Sequence, residues 1–280
     1  MEPLTPPPLP PPTPSLSPPL LPAPRRGRLG WAGHLSLLTG WLLLLIFFGH
    51  RRLASGRHAA LGSVRGVLWA VAMEIVMFGA VCALAWLCSR ATAAEWRLRW
   101  RGGWGPVWRG VLYSVGFRVA LFVGILAVVA TLIAVGTLDA KSAQQFRPHV
   151  ENLVSIQALV HDRGFYWCAL ALLSPMAGVV EEVWRGGMLA GLAGVYPRAF
   201  GGRGGQWVAV VPVAVLFGLG HLYMGWPAVA MTTVLGLALG AIMVAHRTIW
   251  DAAIAHALFD AGSFAMLAWA AARNPHLLGQ

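Results

Sequence analysis

Long apolar segments are the feature that most limits what this chain can fold into. A helix that crosses a bilayer needs about 20 consecutive, mainly apolar residues. Seven segments near that length are predicted to cross a membrane, at residues 31–49, 66–88, 111–138, 165–192, 206–224, 226–246 and 249–272. The sequence therefore predicts an all-α, polytopic membrane protein with about seven transmembrane helices.

Composition and charge agree with a membrane location. Hydrophobic residues make up 58% of the chain and charged residues 11%, whereas an ordinary soluble domain has roughly 45–50% and 25%. The net charge of +11 comes almost wholly from arginines that flank the apolar segments, which favours an anionic lipid surface as their partner. The Lys and Arg distribution predicts a multi-pass protein of the cell membrane with a cytoplasmic N-terminus.

Three regions differ in composition. Residues 1–30 are rich in proline, which forms neither helix interiors nor sheet ladders, so a disordered tail is predicted. Residues 31–138 hold the first three predicted helices, which carry no recognisable motif. Residues 165–272 hold the last four, and the chemistry is expected to lie between them.

Tryptophan and arginine alternate in EWRLRWRGGWGPVWRG, residues 95–110, where Trp96, Trp100, Trp104 and Trp108 recur every four residues. Such interleaving can bind nucleic acid. Here glycines and a proline interrupt any long helix, and membrane segments flank both sides. We therefore expect an anchor at the cytoplasmic lipid headgroups and no nucleic-acid partner.

Two adjacent carboxylates and a guanidinium interrupt the fourth apolar segment, as Glu181, Glu182 and Arg185 in VVEEVWRGGML. An ion at the bilayer centre costs about 2.5–3.5 kcal/mol even on insertion scales, so these charges need partners or a function. On a helix, Glu181 and Arg185 share a face, whereas Glu182 points about 100° away. This spacing predicts that Arg185 neutralises and orients Glu181.

Two histidines and an aspartate lie in later apolar segments. His221 ends FGLGH in the fifth segment, and His256 and Asp260 share a helix face in HALFD in the seventh. At about 1.5 Å per residue, Glu181 and Asp260 lie about 18 Å from the cytoplasmic helix ends, His221 about 22 Å and His256 about 12 Å. Titratable groups at a common depth predict one site rather than separate packing residues.

Glu74 and Arg118 are isolated charges in the second and third apolar segments. They could be functional, or they could simply pair with each other. The sequence leaves both interpretations open.

At the site residues the chain resembles a known family. EEVWR (181–185), FGLGH (217–221) and HALFD (256–260) are similar, in that order, to the EExxxR, FxxxH and Hxxx(N/D) motifs of the CAAX-processing and bacteriocin-processing (CPBP) intramembrane proteases. This family includes the type II CAAX prenyl endopeptidases. The resemblance implies an all-helical endopeptidase that cleaves a membrane-associated protein or peptide near the cytoplasmic side.

The resemblance also implies roles for the six residues. Glu181 corresponds to the glutamate that activates water, Glu182 and Arg185 complete its motif, His221 is the second-motif histidine, and His256 and Asp260 form the final pair. No cofactor is certain. Zinc is left open, because Glu181, His221, His256 and Asp260 are ligand types that could hold it with an open position.

Asp260 stands where many relatives have asparagine. An amide N–H can donate to an oxyanion, whereas an aspartate must be protonated to donate, or else serves His256 or a metal. Its role therefore stays open at the level of sequence.

Two rival functions use the same residues. A proton-coupled transporter could employ the Glu, His and Asp side chains as a relay, and a catalytically silent scaffold could keep the protease fold. The ordered motifs and the absence of visible inverted repeats favour the protease. The sequence contains no HExxH, GxSG or GxGD motif, which argues against site-2, rhomboid and presenilin-type enzymes.

Overall fold

The computed structural model describes residues 27–54, 61–137 and 147–274. Within them the elements are α-helices, short 3₁₀ turns, a π-helical turn at Ala169–Leu173 and an isolated β-bridge between Leu61 and Val154. The predicted tail lies outside the described residues up to residue 26. The helices are α1 (Arg28–Ala54), α2 (Val64–Ser89), α3 (Gly105–Ala134), α4 (Ile156–His161), α5 (Arg163–Val195), α6 (Pro197–Phe200), α7 (Arg203–Leu219), α8 (Trp226–His246) and α9 (Trp250–Arg273).

The structure confirms an all-α, multi-pass membrane protein. In the described part of the chain, α1, α2, α3, α5, α8 and α9 are long and apolar enough to cross a membrane. The fifth predicted segment, residues 206–224, is different: α7 ends at Leu219 and has 17 residues. The prediction of a full-length helix there was wrong, because the chain turns between Gly220 and Gly225.

Hydrogen bonds from backbone N–H groups to side-chain oxygens fix several helix starts. The Ser63 hydroxyl accepts the Gly66 N–H at the start of α2. Ser155 and Asp162 cap α4 and α5 in the same way. Each cap satisfies a backbone donor that has no partner inside its helix.

Helix α1 is tied to the second half of α5. The Trp184 indole donates to the Leu38 carbonyl over 3.0 Å, and the His34 ring donates to the Gly187 carbonyl over 3.0 Å. A Cβ at Gly187 would lie 2.6 Å from Leu38 Cδ1, so glycine permits the close approach. The result is a rigid support directly after the charged residues of α5.

Helix α5 also packs closely against α9 at Gly178. A Cβ there would lie 2.7 Å from the Ala253 carbonyl oxygen and 2.9 Å from the Ala257 nitrogen. Gly178 stands three residues before Glu181, and Ala257 directly follows His256. This contact therefore sets the distance between the carboxylates of α5 and the imidazole of α9.

Helix α8 packs on α7 through Gly236 and Gly240. A Cβ at Gly236 would lie 2.9 Å from the Phe217 ring, and one at Gly240 would lie 2.7 Å from Val210. Small residues four apart allow such close packing. This packing fixes Phe217, which becomes important in the site.

The four tryptophans of residues 95–110 do not share one environment. Trp100, Trp104 and Trp108 are exposed, consistent with the predicted lipid anchor, whereas Trp96 is buried in the core. A Cβ at Gly187 would lie 3.0 Å from the Trp96 ring. Including Trp96 in the anchor was therefore wrong, because it packs against α5.

Candidate active site

Arg185 pairs with Glu182, not with Glu181. The Arg185 and Glu182 side chains form a buried ion pair three residues apart on α5. The prediction that Arg185 neutralises Glu181 was wrong. Residues three and four apart both meet on a helix surface, and here the inward position of Glu182 decides the partner.

The spacing in EEVWR is consistent with this pair. The motif EExxxR has three residues between its second glutamate and its arginine, whereas EEVWR has only Val183 and Trp184 between Glu182 and Arg185. The shorter spacing changes an i,i+4 relation into the i,i+3 relation that the structure shows.

His256 is held by Glu182. Its Nδ1–H donates to Glu182 Oε1 over 3.0 Å, and both side chains are buried. Because an ionised carboxylate only accepts hydrogen bonds, this contact fixes the orientation of the ring. Arg185 pairs with Glu182, and Glu182 holds His256. The Nε2 atom of His256 therefore points away from Glu182.

Two more carboxylates face that Nε2 atom. Glu181 Oε2 lies 3.5 Å from it, and Asp260 Oδ2 lies 3.6 Å from it. Both distances exceed those of ordinary hydrogen bonds and suit contacts bridged by water or by a substrate oxygen. The structure thus brings Glu181, Asp260 and His256 to one point, as the common depth predicted.

Glu181 has a free carboxylate oxygen. Its Oε2 atom is buried without a hydrogen-bond partner among the described residues, although the Glu181 side chain is 30% exposed. A buried polar atom without a partner is costly, and such atoms in native proteins often have a catalytic role. Glu181 is therefore the carboxylate that is available for chemistry.

His221 enters the site from the turn after α7. Its Nδ1–H donates to the Phe217 carbonyl over 2.9 Å, which leaves Nε2 as an acceptor. The prediction that His221 lies within a helix was wrong, because α7 ends at Leu219. No direct contact of His221 with Glu181 or Asp260 is seen among the described residues, so it lies beside the cluster.

Phe217 contacts several residues of the site, although no role was predicted for it. Its ring lies 4.3 Å from the Arg185 guanidinium, 4.8 Å from the His221 ring and 6.0 Å from the His256 ring. The contact with Arg185 is a cation–π interaction. The first position of FGLGH was the available signal, since that residue is one helical turn before His221.

Glu74 and Arg118 do not pair with each other in the described part of the chain. Arg118 donates to the Leu258 and Phe259 carbonyls of α9 over 2.8 and 2.6 Å. Glu74 lies on the inward face of α2, where its charge interacts with that of Glu181. Arg118 is therefore bound to the backbone of α9 just before Asp260, and the charge of Glu74 acts on the neighbouring Glu181.

The four predicted zinc ligands are not gathered into one metal site among the described residues, and zinc at this site stays a prediction. Among residues 27–54, 61–137 and 147–274, no three His, Cys, Asp or Glu side chains come close enough to share one. His221 is the member that stands apart, since its recorded contacts are with aromatic rings and a backbone carbonyl. No step of the hydrolysis is assigned to zinc.

Comparison with known proteins places this site in a family. Residues 163–262 match the family described as type II CAAX prenyl endopeptidase Rce1-like. No curated protein and no solved structure matches the chain significantly. The matched segment begins with α5 and ends two residues after Asp260. The matched residues contain all six predicted site residues, and the match supports membership of the CAAX protease family, as the resemblance indicated.

Proposed function

We propose that this protein is an active intramembrane endopeptidase that uses Glu181 to activate water. The observation that carries the proposal is the free Glu181 Oε2 atom, 3.5 Å from the Nε2 atom of an imidazole that Glu182 holds in place. A base next to a fixed donor is the arrangement that peptide hydrolysis requires.

The proposed reaction begins with proton transfer from water to Glu181. The resulting hydroxide attacks the carbonyl carbon of the scissile peptide, and the carbonyl oxygen becomes an oxyanion. His256 in its imidazolium form, with a proton on each ring nitrogen, donates through Nε2–H to that oxygen, and so does protonated Asp260. Glu181 then returns its proton to the leaving nitrogen as the C–N bond breaks, which yields a carboxylic acid and an amine, and the acid then gives its proton to solvent.

We propose that the substrate reaches the site from the bilayer. Helix α2 packs on α1 and α5, whereas α3 packs on α9, and α2 and α3 make no extensive contact with each other. Arg118 of α3 donates to the Leu258 and Phe259 carbonyls of α9, just before Asp260. Apolar side chains are exposed on α2 and α3, including Met77 and Phe122. Such an opening suits a prenylated or otherwise hydrophobic peptide chain at the cytoplasmic side.

Peptide cleavage by the purified protein tests this function. We expect a farnesylated C-terminal CAAX peptide to lose the residues after its modified cysteine, and the unmodified peptide to react more slowly. Mass spectrometry identifies the products, and a chelator should leave the rate unchanged. Proton flux into proteoliposomes without cleavage of either peptide would support the transporter, and neither activity would support the silent scaffold.

Asp260→Asn is expected to retain activity and to extend it to higher pH. As a neutral acid, Asp260 donates only while protonated, so the activity of the parent should fall as pH rises. An asparagine N–H donates at any pH, which removes that loss. The measurement is kcat against pH with the farnesylated peptide. A strong loss that added zinc reverses would instead make Asp260 a metal ligand.

A further inference from the structure

The turn that follows α7 places a tyrosine beside the site. Leu222–Met224 form a 3₁₀ turn, which ends at Gly225 with φ of 90°, a backbone conformation that glycine adopts readily. In this turn the ring of Tyr223 stacks on that of His221, with centroids 6.4 Å apart and planes 22° apart. Tyr223 is therefore in direct contact with a residue of the predicted site.

The backbone of Tyr223 is held by a distant part of the chain. The Asn152 side-chain amide donates to the Tyr223 carbonyl over 2.8 Å, and the His149 N–H donates to the Met224 carbonyl over 2.9 Å. On another side, a Cβ at Gly49 of α1 would lie 3.5 Å from Tyr223 Cβ. These contacts fix the backbone that carries the phenol before any substrate binds, and a catalytic donor needs such a fixed support.

The hydroxyl of Tyr223 is available as a donor. The charges of Glu181 and Asp260 act on it, and no hydrogen bond from it to another described residue is seen. Burial, together with those two carboxylates, raises the pKa of Tyr223, so its hydroxyl stays protonated at physiological pH. A tyrosine that only anchored the helix end in the lipid interface would not need to lie near the charges of both carboxylates.

We propose that Tyr223 is a catalytic residue, whose hydroxyl donates a hydrogen bond to the oxyanion formed when water attacks the scissile carbonyl. This proposal rests on the proposed endopeptidase function. No proton is transferred in this step. The phenol shares the negative charge with His256 and Asp260 and releases it when the C–N bond breaks.

Tyr223→Phe tests the proposal, because it removes the hydroxyl and keeps the ring that stacks on His221. We expect kcat for the farnesylated peptide to fall about 10²- to 10³-fold, the usual effect of losing one oxyanion donor, while KM stays within a few-fold. The matched control is Tyr196→Phe, an exposed tyrosine beyond the end of α5, which should leave both constants unchanged.

Glu181→Gln measured alongside separates the possible failures. If Glu181→Gln is inactive while Tyr223→Phe keeps its kcat, or changes only KM, the role of Tyr223 is wrong and the endopeptidase stands. If both variants keep the parental kcat, neither residue has the role proposed for it, and if the parent itself cleaves neither peptide, the proposed function fails.

Should Tyr223→Phe fold poorly, a fluorinated tyrosine at this position provides a second test. Fluorination makes the hydroxyl more acidic. In an Asp260→Asn background, where the titration of Asp260 is absent, the loss of kcat at alkaline pH should therefore move to lower pH. The charged groups that act on the hydroxyl are Glu181 and Asp260, and the His221 ring stacks on that of Tyr223. All other titratable groups are the same with tyrosine and with fluorinated tyrosine at position 223. A dependence of kcat on pH that does not move would therefore overturn the proposal.

Discussion

Replacing Glu181 by alanine is expected to abolish peptide cleavage while the protein still folds. A general base contributes about 10²- to 10⁴-fold to a rate. Glu181 carries a buried oxygen with no hydrogen-bond partner, 3.5 Å from His256 Nε2, while the rest of its side chain is partly exposed. Its side chain forms no recorded hydrogen bond with the described residues, so its removal should cost little stability. Cleavage of the farnesylated peptide and the melting temperature in detergent are the two measurements.

A matched control is Glu95→Gln, which changes an exposed carboxylate between α2 and α3. This variant should cleave at the parental rate. If Glu181→Ala stays within a few-fold of the parent, another group must activate the water, and the assignment of the base is wrong.

The membrane helices could be predicted because their signal is local. Apolar length alone identifies α1, α2, α3, α5, α8 and α9. The turn after α7 could not be predicted in the same way, because Leu222, Tyr223 and Met224 are as apolar as a helix requires. Contacts with Asn152 and His149, about 70 residues earlier, fix this turn.

That missed turn explains why Tyr223 had no predicted role. In a continuous helix, residues two apart do not face each other, so His221 and Tyr223 would point in different directions. With α7 ending at Leu219, their rings stack. The two glycines that flank the turn, Gly220 and Gly225, were the available signal.

The site residues themselves could be predicted, but the partner of Arg185 could not. Charged residues in apolar segments are conspicuous, and helix periodicity places Glu181 and His256 at similar depth. Whether an arginine pairs three or four residues back depends on which carboxylate is buried. That depends on how α5 packs against α9 at Gly178, which is a tertiary contact.

Arg185→Ala is expected to lower both stability and activity. Arg185 and Glu182 are the partners of a fully buried ion pair, so the change leaves the Glu182 carboxylate without its cation. Breaking a buried pair from one side costs about 3–5 kcal/mol. Since Glu182 also holds His256, the imidazole should lose its fixed orientation, and cleavage should fall with the melting temperature. By contrast, Arg147→Ala breaks a partly exposed pair with Glu151 and should cost at most about 1 kcal/mol.

A second change separates the stranded charge from the lost geometry. In the double variant Glu182→Gln with Arg185→Met, no buried charge is left without a partner, so most of the stability should return. Activity should stay low, because a neutral glutamine holds His256 less firmly than a carboxylate does. Thermal unfolding in detergent and the cleavage rate measure the two effects separately. If Arg185→Ala alone leaves stability unchanged, Glu182 does not depend on Arg185, and the buried pair is not what holds His256 in place.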